Sequence, residues 1–386
     1  MKRLWILLLL PAVMGCSRHV IGSPPDYSTL SFPLSMVASA DESHLYVVNT
    51  DFDMDYSSGW ISTVDMSTQK ILPGTAIKIK PYSGDLIMSP DHKHAFLAQR
   101  WDSSIINFDL DDKGLLQCGQ DADRKCQDGY ILNDKNEYDP VQKDTLPRLG
   151  TDGYTTCVMQ IHGFGQILFV ASVSDSYLAA YDISSGKPEF MAHLLLNPGV
   201  STLACDSVNQ RVFAGHSTSN LIDVVDLAIS SDKKLLMDRA FGFAAPMTST
   251  SADYFRHIEL SAQGNILYAT YRSPDLLLFF DVGRDRPVFV TAVDLPKGAA
   301  DFGFIHDPVY GDYALVVSSD DGSVSIVSMD TRELMKRIKL CRYPYGIAIL
   351  PKSGHVVVSC FRASSIGFLK WEGNPVTSMK VEGFLK

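Results

Sequence analysis

WISTVDM, residues 60–66, decides the fold because its pattern returns six more times. The copies are SIINFDL (104–110), YLAAYDI (177–183), LIDVVDL (221–227), LLLFFDV (276–282), SVSIVSM (323–329) and SIGFLKW (365–371). Each is a short β-branched and aromatic run, which is strand rather than helix composition. The sixth position holds Asp65, Asp109, Asp182, Asp226, Asp281, Ser328 and Lys370, at intervals of 44, 73, 44, 55, 47 and 42 residues. Tyr46, Phe96, Phe169, Phe213, Tyr268, Leu315 and Val357 mark the preceding strand. They lie 13 residues before the first marker in six units and 19 before it in unit one. A constant offset in six segments is hard to obtain by chance. Around these two strands each unit has an apolar strand before, a polar turn such as Ser89-Pro90-Asp91, and a last apolar strand after. The pattern predicts an all-β, seven-bladed β-propeller of four-stranded antiparallel blades, whose sheets bury their faces only by stacking on neighbours.

The Asp at the sixth position invites a functional reading, but a strand-end Asp ordinarily caps the next turn by accepting backbone N–H groups. It is assigned to structure. YVVNTDF…ISTVDMSTQKIL (46–72), with SPD at 89–91, resembles the YVTN family of seven-bladed propellers. The resemblance implies this fold over nearly all of the chain. Through lactonase-like relatives it also implies, as the alternative to a binding module, a hydrolase acting on a small anionic substrate in an axial pocket.

Length alone, at 386 residues, would permit two or three domains, but the repeat turns it into one ring. The 44 acidic residues exceed the 34 basic ones, for a net charge of −10. That argues against a nucleic-acid partner, which requires a basic footprint. No apolar run reaches the ~20 residues of a spanning helix.

The first residues read as an export signal. Lys2 and Arg3 precede a short apolar stretch from Leu4 to Leu10, and Val13-Met14-Gly15-Cys16 follows. Those four residues resemble a bacterial lipobox, which implies diacylglycerol on Cys16 and cleavage before it. Ser17 then implies sorting to the outer membrane of a two-membrane host. The expected organisation is a signal peptide at 1–15, a lipidated N-terminus and tether at 16–31, and the propeller at 32–386. Cleavage removes Lys2 and Arg3 and takes the net charge from −10 to −12. The expected partners are the membrane, through the lipid, and a protein or polymer. The ring is expected to be monomeric.

In a propeller the loops joining strands two and three emerge on the same face as the connections between blades. Every irregularity falls there: insertions at about 50–59, 118–156 and 242–254. Repeat folds hang insertions on the binding face. The candidate binding residues on these loops are Arg100, Trp101, His216, Arg256, His257, Tyr271, Arg272, Asp301, Tyr343, Phe361 and Arg362. Arg100, Arg272 and Arg362 occupy nearly the same point in three blades. Together they suit a carboxylate or phosphate, although each alone is as readily a surface ion pair. Asp51, Asp53 and Asp55 alternate as calcium ligands do, but Tyr56 replaces the turn glycine and Ser62 the bidentate Glu of an EF-hand loop. A solvated acidic loop is the preferred reading, and no other cofactor is predicted.

Six cysteines remain beyond Cys16. Cys341 and Cys360 fall on the irregular face and are expected to pair. One bridge is expected among Cys118, Cys126 and Cys157, with Cys205 a buried free thiol on the opposite face. Zinc lacks CxxC or paired-His spacing. The sequence contains no CxxCH, Gly-rich phosphate loop, GxSxG or HExxH. The leading expectation is a non-catalytic binding or scaffolding lipoprotein. Its rival is a lactonase-type hydrolase with His257 or His216 as base.

Overall fold

The computed structural model describes residues 22–100, 104–118, 130–131, 153–174, 176–247, 253–284 and 286–386. Seven antiparallel sheets follow one another in chain order, each with its strands in the order they occur in sequence. The innermost strands are Pro33–Ala38, Ser83–Met88, Gly153–Ile161, Val200–Asp206, Phe255–Leu260, Ala299–Asp307 and Pro344–Leu350. The seven-bladed propeller expected from the repeat is therefore the fold.

Burial falls outward across each blade. In blade 7 the second strand, His355–Cys360, and the third, Ser365–Lys370, are buried almost throughout. The outer strand, Lys380–Leu385, is largely exposed. The middle strands carry the apolar runs because both their faces meet neighbouring blades. In blades 1 and 2 the outer position is split, into Lys70–Ile71 with Ile77–Ile79 and into Leu116–Gln117 with Tyr130–Ile131.

The repeated Asp behaves as a turn cap in three blades. Asp65 Oδ1 accepts the Ser67 amide at 2.8 Å, Asp182 Oδ1 that of Ser184 at 2.9 Å, and Asp281 Oδ1 that of Gly283 at 3.2 Å. Asp109 pairs with His94 at 2.8 Å, and Asp226 with Arg211 at 3.7 Å. All five serve the fold locally.

The ring closes without strand exchange, since blade 7 takes all four strands from the C-terminal end of the chain. Leu30, Leu45 and Val47 pack with Leu350, Val357, Ile366 and Phe368 across the seam. Glu42 adds a polar clasp, accepting the Lys352 and Ser353 amides at 3.0 and 2.9 Å.

Cys341 and Cys360 are joined, as expected, with Cα atoms 5.9 Å apart. The Cys205 expectation is overturned: Cys205 bonds to Cys157. An insertion over about 118–156 would leave Cys157 at its edge. In fact the inner strand of blade 3 already begins at Gly153, so Cys157 lies mid-strand, beside the inner strand of blade 4 that carries Cys205. The bridge staples two blades instead of one loop. Cys118 is also disulfide-bonded, and Cys126 lies outside the described residues. The Cys341–Cys360 bridge closes a loop of 19 residues. Its removal as Cys341→Ser with Cys360→Ala is expected to lower stability by about 3 kcal/mol, checked by denaturant unfolding of the oxidised proteins.

Candidate functional site

Every inner strand breaks register with its neighbour at its very start. The shifts fall between Pro33 and Met36, Ser83 and Leu86, Gly153 and Thr155, and Val200 and Thr202. They recur between Phe255 and His257, Ala299 and Phe302, and Pro344 and Ile347. A bulge leaves its extra residues outside the ladder and re-aims their side chains. Each of the seven bulges holds one polar residue: Ser35, Asp85, Tyr154, Ser201, Arg256, Asp301 and Tyr345. All seven line a single axial cavity of about 200 Å³. Because it sits at the beginnings of the inner strands, it lies at the loop-rich face.

The backbone is drawn in tightly here. A Cβ on Gly84 would stand 2.3 Å from the Tyr154 carbonyl oxygen, and one on Gly346 2.5 Å from that of Leu34. Only glycine permits both approaches.

His257 follows the blade 5 bulge and is the electrostatic centre of the cavity. Its Nδ1 is 3.3 Å from Asp301 Oδ1, and its Nε2 is 3.8 Å from Glu259 Oε2. Burial favours the neutral ring, but Asp301, Glu259 and Asp85 outweigh it and push the His257 pKa up to about 9. The imidazole is thus cationic at neutral pH. Asp301 is fixed by the Phe302 and Ile347 amides at 2.8 and 3.1 Å, which ties blade 6 to blade 7. Asp85 is raised to about 6, burial dominating over the nearby His257 and the Thr155 and Thr156 donors. Arg256 pairs with Asp253 at 2.5 Å, while its Nε is buried without a partner. Thr156 Oγ1 is likewise buried and unpartnered. Both atoms belong to residues of the cavity wall. Unpaired buried polar atoms are costly and call for an explanation.

A second cavity of about 230 Å³ adjoins the first and shares Leu34, Tyr154 and Tyr345 with it. Its walls are aromatic. Phe52 meets Phe32, Tyr82 and Phe361 at ring-centroid distances of 5.9, 5.7 and 5.4 Å. Arg362 lies over Tyr343 at 4.5 Å, and Arg100 over Tyr154 at 4.9 Å. The hydroxyls of Tyr154 and Tyr345, 2.5 Å apart, form a hydrogen-bonded bar on the wall common to both chambers. Burial raises the pKa of each.

Of the residues singled out in the sequence, Arg256, His257 and Asp301 meet in the inner cavity. Arg100, Tyr343, Phe361 and Arg362 meet in the outer one. His216, Tyr271 and Arg272 join neither. His216 is fully buried, bonded to the Pro198 carbonyl at 3.1 Å and to Asp223 at 3.2 Å. Tyr271 is core, its hydroxyl donating to the Met247 carbonyl at 3.3 Å. Arg272 clamps blade 5 to blade 6 through the Ala299 and Gly298 carbonyls, Ser319 and Asp253. Strand-end residues point alternately to solvent and into the blade stack, and these three point inward. Cys16 and Trp101 lie outside the described residues.

Asp51 is buried and accepts the Tyr56 amide at 3.1 Å; burial raises its pKa to about 6. Asp53 and Asp55 stay at the surface. Among the described residues no three His, Cys, Asp or Glu side chains gather as a metal site. Asp85, Tyr154, Tyr345, Ser35 and Ser201 were missed from sequence. Their signal was a polar residue two or three positions into an otherwise apolar inner strand, as in SGDLIM and PYGIAIL.

No family model matches this chain, and no curated protein matches it. Solved structures do. Hydrazine synthase from Kuenenia stuttgartiensis aligns at a TM-score of 0.63 and 12% identity, covering 88% of this chain and 96% of that one. The Cps50 β-propeller domain of Myceliophteria thermophila aligns at 0.60 and 10%, covering 89% and 98%. A lactonase-like (6-phosphogluconolactonase) protein of Bacteroides fragilis aligns at 0.53 and 18%, covering 80% and 83%. At these identities the likeness is one of fold: the chain is a seven-bladed β-propeller.

Proposed function

We propose that this chain is an exported, lipid-anchored β-propeller that captures a small anion, or the anionic end of a polymer, in its axial cavity. It acts as a binding module and performs no chemistry on what it holds. The observation that carries this reading is the ring of seven bulges, which delivers one polar side chain from every blade to one cavity. Arg256, with its unpartnered Nε, and cationic His257 supply the attraction. Asp85 and Asp301 accept from hydroxyl or amine donors, so the favoured ligand is a hydroxylated anion such as a sugar acid, a hydroxy acid or a polyol phosphate. Anchoring rests on the lipobox resemblance at Val13–Cys16.

The test is a melting screen against those three ligand classes. A captured anion at about a hundredfold excess over its Kd is expected to add ~2.7 kcal/mol, seen as a rise in Tm of a few degrees. If no member moves the transition, the reading fails.

A second reading has one observation in its favour. Asp85, held at about 6, stands near a cationic His257, an acid–base pair fit for a lactonase-type hydrolase. In that reading His257 is the acid and not the base, and buried His216 takes no part. Turnover of a lactone by the same preparation would select it over the binding module.

A further inference from the structure

We infer that the mouth of the propeller faces the bilayer, with the aromatic chamber and its arginines resting on phospholipid headgroups. The inference builds on the lipid-anchor part of the proposed function. It adds an orientation and a docking surface.

The first observation is where the tether joins the body. Ser23 runs parallel to Tyr56, in the blade 1 loop of the loop-rich face. The Ser23 amide donates to the Asp55 carbonyl at 3.1 Å, and the Ser57 amide to the Ser23 carbonyl at 2.8 Å. A Cβ on Gly22 would lie 2.0 Å from the Tyr56 carbonyl carbon, so the chain is sewn down at that point. Tyr27 and Tyr56 both pack edge-on against Trp60. From Cys16 to Ser23 there are seven residue steps. At no more than ~3.6 Å per step, the lipid is on a leash of about 25 Å that starts at the mouth. Inner strands of six to nine residues make the ring about 20–30 Å deep. The leash is used up in crossing that depth, so the opposite face is a poor candidate for membrane contact.

The second observation is what surrounds the attachment point. Phe52, in the same loop as Tyr56, is 52% exposed and sits at the centre of the Phe32, Tyr82 and Phe361 cluster. Arg362 is exposed beside it, over Tyr343. Aromatic rings with adjacent cations are suited to the headgroup region, where the ring meets the acyl boundary and the cation meets phosphate. Asp53 and Asp55, exposed on the same loop, oppose an anionic surface. The rings therefore carry most of the contact, and Arg362 meets the phosphates.

The full-length lipidated protein is reconstituted into phosphatidylethanolamine–phosphatidylglycerol vesicles with brominated acyl chains. A fluorophore is placed at Asp53→Cys, beside the cluster but outside it, or at Val309→Cys on the opposite face. Val309 is 78% exposed in a turn between an inner and a second strand. Quenching at position 53 is expected to exceed that at 309 at least about threefold, as for a face seated in the headgroup layer. Adding Phe52→Ser to the first variant is expected to reduce quenching about twofold or more. Equal quenching at the two positions, or stronger quenching at 309, overturns the orientation while leaving the anchor intact. Failure of the protein to float with the vesicles overturns the anchor and the orientation together.

Discussion

His257→Gln is expected to weaken anion capture between about tenfold and a hundredfold, the loss of one hydrogen bond to a charged partner. The substitution keeps a side chain that hydrogen-bonds to Asp301 but removes the positive charge. It also predicts a pH profile. In the wild-type protein capture should fall as pH rises through about 9, where His257 loses its proton. The Gln variant should be flat over that range. Stability follows the same group. The His257 pKa is raised on folding, so its contribution is complete below its ordinary value of 6.5 and is lost as pH climbs through about 9. The ring is about one-third exposed, so solvent screening limits this contribution to about 1–2 kcal/mol at pH 7. Unfolding curves of the two proteins should therefore differ most below pH 6.5 and converge towards pH 9 and above.

Asp223→Ala is expected to be the most damaging single change to the fold, at about 3–5 kcal/mol. Asp223 is fully buried in the third strand of blade 4. It accepts the Asn197 amide at 3.2 Å, the Asn197 side chain at 3.0 Å and His216 Nε2 at 3.2 Å, with Arg239 Nε 3.6 Å away. Removing the carboxylate leaves His216 Nε2 and the Asn197 amide groups without their acceptor, while Arg239, 43% exposed, turns to solvent. Burial works against its charge, but His216, Asn197 and Arg239 prevail and hold its pKa below the ordinary 3.8. A depressed acid stabilises the fold above its unfolded pKa and loses that stabilisation as pH falls through the folded value. The Asp223→Ala deficit should accordingly be complete at neutral pH and shrink only below about pH 4. Denaturant unfolding at pH 7 and in the acid range checks both statements.

How much of this the sequence contained differs between fold and site. The propeller was legible because middle strands buried on both faces must be apolar and β-branched at every repeat, and turn chemistry pins their spacing. The loop-rich face was legible from the insertions. Arg256, His257 and Asp301 were reached because they follow blade connections. Asp85, Tyr154 and Tyr345 were not, because a polar residue early in an apolar strand reads as an ordinary strand end, and the change of register that re-aims it exists only between two strands. His216 and Arg272 show the converse. A polar residue at a strand end reads as a site residue, and only the packing of its blade turns it inward. Cys205 was misread for a related reason: strand direction gives a residue's height in the ring, and the height assigned to Cys157 depended on where its strand began.

The axial cavity as a site of anion capture is the central claim, and calorimetric titration of wild type and His257→Gln with the strongest ligand of the melting screen tests it most directly. The expected result is one site per chain on the wild type, weakened at least about tenfold in the variant at pH 7 and weakened in the wild type itself above pH 9. Equal affinity in the two proteins across that pH range would contradict it.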